Sequence, residues 1–255
     1  VQRALVTGEI GATSAARLLA LTTHRRPEAP PHYEPPARAP GRLDRTVSVI
    51  VPTIDRYTYL EPLLHQLAAQ TVAPHEVIVA DQTPGDRRRD DLGTIEPDLP
   101  VTVIGLPQPG QSTARNAAIE ASTGELLLLL DDDLDIEPDL IADHLRRLQS
   151  GVDATSGGVD DATAGPPPEG FRHRRASDVL PGGHTILRRA SLRRSGLFDP
   201  AFDHGPRADH DLGMRLHLGG AVLIYDPTVM VFHFHAPAGG LRVHGARKIT
   251  RASAR

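Results

Sequence analysis

The sequence predicts an α/β protein with a doubly wound, mostly parallel sheet. Between residues 46 and 148, short apolar segments of strand length alternate with longer segments of helical spacing, which is typical of a parallel sheet covered by helices. One apolar segment consists of the five consecutive leucines at 126–130, as expected for a strand buried on both faces. Polar residues follow several of these strands directly. In an open α/β sheet, ligands bind at such strand ends.

Three regions are expected along the chain. Residues 1–45 begin with one or two helical turns and continue into a proline-rich linker, which is expected to be extended. Residues 46–235 hold the folded domain, and residues 236–255 form a basic C-terminal arm. The N-terminal helical extension is a candidate contact for the main domain, for a second copy of the chain or for an additional domain.

The elements of the folded domain follow in order. In its first half, strands are predicted at 47–51, 77–80, 101–104 and 126–130, and helices at 59–70, 112–122 and 138–148. The first helix has an apolar stripe at helical spacing, made of Leu60, Leu63, Leu64 and Leu67. In the second half, strands are predicted at 152–159, 222–224 and 229–232, and helices at 187–195 and 208–218. Gly219 suits the end of the last helix.

Three carboxylates, Asp131, Asp132 and Asp133, follow the leucine strand and are called the acid cluster below. Like charges packed together repel, so at least one of them is expected to face a cation. A solvated acidic loop is the alternative, and it is disfavoured because the acids come directly after a wholly apolar strand. An EF-hand is excluded, because its sixth and twelfth positions would hold Ile136 and Ala142 in place of Gly and Glu.

Composition narrows the class of protein. The 255 residues are 39% hydrophobic and 24% charged, and the net charge of -4 gives no reason to expect nucleic-acid binding. The absence of cysteine excludes disulfides and thiolate metal sites, and it fits a reducing compartment. No apolar run approaches the roughly 18 residues of a membrane span, and no signal peptide is recognisable. We therefore expect a cytoplasmic protein without a membrane span, with peripheral attachment to a membrane left open.

Polar groups gather at four predicted strand ends, which in a doubly wound sheet line one crevice. They are Thr53 to Arg56, Asp81 with Gln82, the acid cluster and His233. A metal on the acids can hold a diphosphate, and imidazole beside carboxylate suits Mn²⁺. Neither GxGxxG nor GxxxxGK[ST] follows the first strand, so a metal rather than a glycine-rich loop is expected to carry phosphates.

The order of these motifs resembles glycosyltransferase family 2, whose fold is of the GT-A type. The matching segments, within roughly residues 46–235, are 49–53, 76–81, 110–116, 131–133, 182–183, 196–199, 209–212 and His233. The resemblance implies a Rossmann-like nucleotide half and an acceptor half. It also implies a nucleotide-sugar donor, an acceptor hydroxyl and Mn²⁺ or Mg²⁺ as the cofactor.

The resemblance further implies a role for each matched position. Nucleotide contacts fall on Pro52, Thr53, Ile54, Asp55, Arg56, Asp81, Gln82, Arg115, Asp131 and Asp132. Metal binding falls on Asp133 and His233, with His235 on the same strand face as the alternative ligand. The donor-sugar and acceptor space is assigned to Gly182, Gly183, His184 and Asp211. Asp209 matches the acid proposed as general base, and Asp211 is the alternative base.

The sequence departs from the family pattern at three points. Gln82 stands where a second acid or Asn is usual, and an amide can both donate to and accept from a pyrimidine edge. Ala208 stands where Glu commonly precedes the base. The Gln-x-x-Arg-Trp signature of processive members is absent, since the chain has no tryptophan, and this favours the addition of one or a few sugars.

The sequence thus predicts a metal-dependent, inverting, nonprocessive hexosyltransferase-like enzyme with a UDP- or dTDP-linked donor. Asp209 would take the proton of the acceptor hydroxyl, and the metal would neutralise the departing diphosphate. Taken alone, His233 could be an ordinary half-buried histidine and Asp209 a charge that favours a helix N-terminus. Two other classes are a catalytically inactive nucleotide- or sugar-binding domain of a larger assembly and a nucleotidyltransferase. The latter normally needs a basic glycine-rich loop after the first strand, which is absent here.

Overall fold

The computed structural model describes residues 43–161, 171–204 and 207–236. The predicted N-terminal turns, the proline-rich segment up to residue 42 and the basic arm from residue 237 lie outside these residues. Within them, no helix has both the length and the apolar character needed to cross a membrane.

Strands and helices alternate in the first half of the described chain. The strands are β1 (Val47–Thr53), β2 (Glu76–Asp81), β3 (Val101–Gly105), β4 (Leu126–Leu130), β5 (Leu134–Ile136), β6 (Ala154–Asp161), β7 (Arg175–Ala176), β8 (His184–Arg188) and β9 (Leu223–His233). The helices are α1 (Tyr57–Ala68), α2 (Gln111–Ala121), α3 (Leu140–Arg147), α4 (Arg189–Ser195) and α5 (Ala208–Leu218). Short 3₁₀ turns lie at Gly85–Arg87, Leu92–Thr94 and Pro200–Phe202.

One nine-stranded sheet joins these strands in the order β3-β2-β1-β4-β8-β6-β9-β5, with β7 paired to β9. Strands β3, β2, β1 and β4 are parallel. Strand β8 is antiparallel to both β4 and β6, and β6 is parallel to β9. The prediction of an α/β, mostly parallel sheet is therefore confirmed. Because β9 runs in the same direction as β4, both strands end at the same edge of the sheet.

The leucine strand β4 lies at the centre of the core, and all five of its side chains are buried. Leu126, Leu128 and Leu130 pack in one apolar cluster with the buried stripe of α1. Leu127 and Leu129 pack in a second cluster with residues of α2 and α5. Alternate residues of a strand face opposite sides of the sheet, so both faces of β4 are covered. Burial of each leucine contributes about 1.5–3 kcal/mol to the stability of the fold. This packing holds β4 in place and so fixes the position at which the strand ends.

The second half differs from the prediction at β8, where a helix was expected from residue 187. Residues 184–188 instead form a strand, paired antiparallel to β4 from Leu130 with His184 to Leu126 with Arg188. The helix begins only at Arg189. The backbone N–H and C=O groups on the side of β4 that faces away from β1 are buried and need hydrogen-bonding partners. Pairing with β4 therefore outweighs the local helical pattern.

The two strands predicted at 222–224 and 229–232 are a single strand, β9. Pro227 lies where the pairing with β6 is irregular, because Gly157 pairs with Asp226 and Gly158 pairs with Met230. A proline cannot donate a ladder hydrogen bond and is tolerated at such an irregularity. The continuous strand carries His233 to the sheet edge where β1, β2 and β4 end.

Candidate active site

Asp132 is an anchor at the centre of the acid cluster. Its carboxylate accepts hydrogen bonds from Thr53 Oγ1 at 2.7 Å and from Arg56 Nη1 at 2.9 Å. Burial raises the pKa of Asp132 to about 7, against the opposing charge of Arg56. These contacts tie the end of β4 to the loop that follows β1.

Asp131, Asp133 and His233 form a group that could hold a metal, called the metal group below. Each offers one ligand atom, and the three atoms lie within 4.8 Å of one another. His233 Nε2 lies 3.0 Å from Asp133 Oδ1, and the Ala236 amide donates to Asp133 Oδ2 at 2.7 Å. Carboxylate oxygens suit Mn²⁺ or Mg²⁺, and imidazole beside carboxylate suits Mn²⁺, so the residues present fit a divalent cation.

The electrostatics of Asp133 favour its ionised form. Burial acts to raise its pKa, but the hydrogen bond and charge of His233, the Ala236 amide and Arg56 together bring the pKa below its usual value. A metal ligand must be deprotonated, so Asp133 is ready to bind a cation. His235 lies outside the metal group, and the centroid of its ring is 4.0 Å from that of His233.

The metal group borders a cavity of about 610 Å³. Of the positions predicted from the sequence, the cavity is lined by Pro52, Thr53, Ile54, Arg56, Gln82, the acid cluster, His233 and His235. It is also lined by Pro109, Gly110, Gln111, Asp203, His204 and Ala236, to which the sequence reasoning gave no role at the site. The polar strand ends predicted to share one crevice therefore do come together.

Three predicted nucleotide contacts, Asp55, Asp81 and Arg115, are absent from the described residues that line the cavity. Asp81 is fully buried, and its carboxylate accepts from the hydroxyl of Tyr57 at 2.7 Å and from the Thr83 amide at 2.9 Å. The Asp55 amide donates to Thr83 Oγ1 at 2.8 Å, and its carboxylate pairs with Arg87. As placed, both acids shape the loops after β1 and β2.

Gln82, the neighbour of Asp81, does line the cavity. Its side-chain oxygen accepts a hydrogen bond of 2.5 Å from the backbone N–H of Gly110. Because a backbone N–H can only donate, this bond fixes which end of the amide is oxygen. The NH₂ group of Gln82 is then the end of the amide left for a ligand.

Asp209 lies in the first turn of α5, close to Arg115 and Gly182. Its Oδ1 atom is 3.6 Å from Arg115 Nη1. A side-chain carbon at Gly182 would come within 2.7 Å of Asp209 Oδ1, and one at Gly183 within 2.2 Å of Asp131 Oδ2. Glycine is therefore needed at both positions so that the two carboxylates can approach the backbone before β8.

Two residues assigned to the acceptor space are placed elsewhere. Asp211 is paired within α5 to Arg215, at 2.9 Å from Nε and 2.7 Å from Nη2, so the structure does not favour it as the alternative base. His184 is buried against His144, with ring centroids 4.9 Å apart, and burial lowers its pKa to about 4. The expectation that the His184 side chain lines the acceptor space disagrees with this placement.

Asp203 is a cavity residue that the sequence did not reveal. Its carboxylate accepts from the Thr113 amide at 2.8 Å and from Thr113 Oγ1 at 2.6 Å, and it so holds the start of α2. The start of this helix lies in the segment 110–116, which resembles the family. Its partner lies 90 residues further along the chain, beyond the reach of any local pattern.

An acid cluster that could hold a metal lies at the strand ends of a mostly parallel α/β sheet, beside a cavity of about 610 Å³, and this arrangement is typical of the GT-A fold. Residues 48–205 match the model of glycosyl transferase family 2, which is more than half of the chain. The chain belongs to this family.

Similar proteins and solved structures are consistent with this family assignment. The glucosyl-dolichyl phosphate glucuronosyltransferase of Haloferax volcanii is 32% identical over 117 residues, which are 44% of this chain and 37% of that protein. The Staphylococcus aureus TarS 1–349 structure with UDP has a TM-score of 0.63 at 22% identity and covers 75% of this chain and 61% of its own. The mannosyltransferase PcManGT of Pyrobaculum calidifontis, solved with GDP-Man and Mn²⁺, has a TM-score of 0.60 at 21% identity, with 98% and 71% covered.

The curated relatives are longer than the matched region, and the chain spans about a third of their length. The two solved structures share less than 25% of their residues with this chain. Their similarity establishes the GT-A fold.

Proposed function

We propose that the chain transfers a sugar from a nucleotide-sugar donor to an acceptor hydroxyl, with inversion, in a nonprocessive reaction that needs Mn²⁺ or Mg²⁺. One observation carries the proposal. The metal group and Asp209 are joined through Arg115, with Nη2 2.9 Å from Asp131 and Nη1 3.6 Å from Asp209. A site for the diphosphate and a candidate base therefore lie within one network.

The sheet order supports a specific placement of the donor. Gln82 follows β2, the acid cluster follows β4, and β1 lies between these two strands. Neighbouring strands are about 4.8 Å apart, so the two strand ends are separated by roughly 10 Å. This separation is comparable with the length of a nucleoside diphosphate. We assign the base to the end with Gln82 and the diphosphate to the metal group.

The chain's own groups then have distinct tasks. A bound Mn²⁺ or Mg²⁺, held by Asp131, Asp133 and His233, would neutralise charge on the leaving diphosphate. Asp209 accepts the proton of the acceptor hydroxyl. The hydroxyl oxygen attacks the anomeric carbon from the face opposite the diphosphate, so the new bond forms as the old one breaks and the centre inverts. Arg56 and Thr53 hold Asp132, and so hold the loop over the nucleotide.

Gln82 provides a test of the donor base. Its free NH₂ group is a donor, so it suits a base with a carbonyl oxygen at that edge, as in UDP or dTDP. In the variant Gln82→Glu, one oxygen keeps the Gly110 contact and the other becomes an acceptor. We expect the affinity for UDP to fall and the affinity for CDP to rise. The ratio of the two affinities should change by about tenfold or more, because an unmatched buried polar group costs about 1–3 kcal/mol.

Titration calorimetry with UDP and CDP in the presence of Mn²⁺ measures this ratio. Gln111→Glu is the matched control, because it places the same new charge in the same cavity. It should weaken the binding of UDP and of CDP by the same factor. A Gln82→Glu protein with the wild-type ratio would show that Gln82 does not read the base.

Turnover decides between a transferase and an inactive binding domain. Donor sugars incubated with the protein and Mn²⁺ should release nucleoside diphosphate slowly to water and faster with an acceptor. Metal-dependent binding of a donor without release would favour the inactive domain.

A further inference from the structure

Arg115 is a buried cation held between two carboxylates. Only 1% of its side chain is exposed. Its Nη2 donates to Asp131 Oδ1 at 2.9 Å, and its Nη1 lies 3.6 Å from Asp209 Oδ1. Its guanidinium carbon also lies 5.5 Å from the centre of the Phe198 ring. The two carboxylates come from different elements, the end of β4 and the first turn of α5.

This environment does not match a direct nucleotide contact. Arg115 is absent from the described residues that line the cavity, and moving it to a ligand would break its pairing with Asp131. A buried guanidinium is tolerated because it is paired, and its rigid planar fork fixes the directions of its partners. Arg115 therefore acts on the geometry of the two acids.

Asp209 also faces this arginine, at a longer distance than Asp131 does. Its Oδ1 atom is buried and, within the described residues, accepts no hydrogen bond, so the nearby charge of Arg115 stabilises it. A side-chain carbon at Gly182 would come within 2.7 Å of both Arg115 Cζ and Asp209 Oδ1. The backbone thus closes over the pair and limits its freedom.

Hydrogen bonds to Gln111 also connect Arg115 with the cavity. In the orientation that satisfies its neighbours, the amide oxygen of Gln111 accepts from Arg115 Nη1 at 3.0 Å and from Nη2 at 3.2 Å. Gln111 lines the cavity. A donor that contacts Gln111 therefore touches the network that holds Asp209.

We propose that Arg115 is a positioning residue that sets the carboxylate of Asp209 relative to Asp131 and the metal group. This inference rests on the proposed function. It replaces the nucleotide-contact role that the family resemblance implied for this position.

The test is a double-mutant cycle with Arg115→Lys and Asp209→Asn, measured on donor turnover with Mn²⁺. Lysine keeps the charge but loses the fork, so we expect kcat to fall at least tenfold while the Kd of UDP with Mn²⁺ changes less than about threefold. Residues that act as one unit give non-additive effects. In the Asp209→Asn background, Arg115→Lys should therefore lower the remaining turnover less than about twofold.

Arg189→Lys is the matched control. Arg189 is a partly buried arginine whose fork bonds Gly124 O at 2.7 Å, Ile119 O at 3.0 Å and Ser122 Oγ at 2.7 Å, at the other end of β4. Its substitution should lower the melting temperature and leave kcat unchanged. A melting curve on each variant separates folding defects from loss of position.

Two results would overturn the positioning role alone. One is an equal loss of kcat in both backgrounds, and the other is a tenfold loss of UDP affinity at unchanged kcat, as for a direct nucleotide contact. Absence of turnover by the wild-type protein with every donor would overturn the proposed function, and this role with it.

Discussion

The variant Asp133→Asn is expected to lose metal-dependent nucleotide binding. Asparagine has the same shape and can still accept from the Ala236 amide, which lies 2.7 Å from the carboxylate in the wild-type protein. It lacks the charge, however, and the wild-type contacts hold the pKa of Asp133 below its usual value despite burial. A hard divalent cation binds an amide far more weakly than a carboxylate. We expect the affinity for UDP with Mn²⁺ to fall by about a hundredfold, since changes beyond the direct ligands already cost 10–100-fold.

Titration calorimetry with Mn²⁺, and again with EDTA, measures this loss. Asp135→Asn is the matched control, because it removes the same charge two residues further along the chain. The Asp135 carboxylate accepts a hydrogen bond from Gln66 at 2.5 Å and lies outside the metal group. Its affinity should stay near the wild-type value. An unchanged Mn²⁺-dependent affinity in Asp133→Asn would refute the metal assignment.

The variant Asp209→Asn is expected to bind the donor normally and to lose transfer. An amide cannot accept the proton of the acceptor hydroxyl, and general base catalysis contributes about 10²–10⁴-fold in rate. Asp209 is absent from the described residues that line the cavity with the metal group. The Kd for UDP with Mn²⁺ should therefore change less than about threefold, while kcat falls by at least a hundredfold.

The same helix offers a control for this variant. Asp211→Asn removes an acid two residues further on, whose carboxylate pairs with Arg215, and Arg215 in turn bonds the carbonyls of Ser195 and Leu197. This change should lower stability and preserve transfer per folded molecule. Loss of transfer in Asp211→Asn with retention in Asp209→Asn would assign the base to Asp211 instead.

The parallel half of the fold was predictable because its signals are local. The stripe of α1 and the leucines of β4 have the periodicity that their packing demands, and the structure buries all of them. Helix α5 has the bounds that the sequence predicted. Polar residues directly after apolar strands also predicted the crevice, because parallel strands end at one edge of the sheet.

The features of the fold and the site that the sequence did not predict depend on residues that are distant in the chain. Strand β8 exists because β4 needs a neighbour, and its own residues resemble the start of a basic helix. Asp203 reaches the start of α2 across 90 residues. Arg115 matches a family position near the nucleotide, yet it is held between Asp131 and Asp209. A sequence pattern shows which residue types are present but not which charges become neighbours in the fold.

The melting temperature of the protein with UDP, dTDP, GDP and CDP, each with Mn²⁺ and again with EDTA, shows directly whether the protein has a metal-dependent nucleotide site. A ligand at a hundred times its Kd stabilises the native state by about 2.7 kcal/mol. We expect a clear rise with UDP or dTDP that EDTA removes. No shift with any nucleotide, or the same shift with EDTA, would contradict a metal-dependent nucleotide-sugar site.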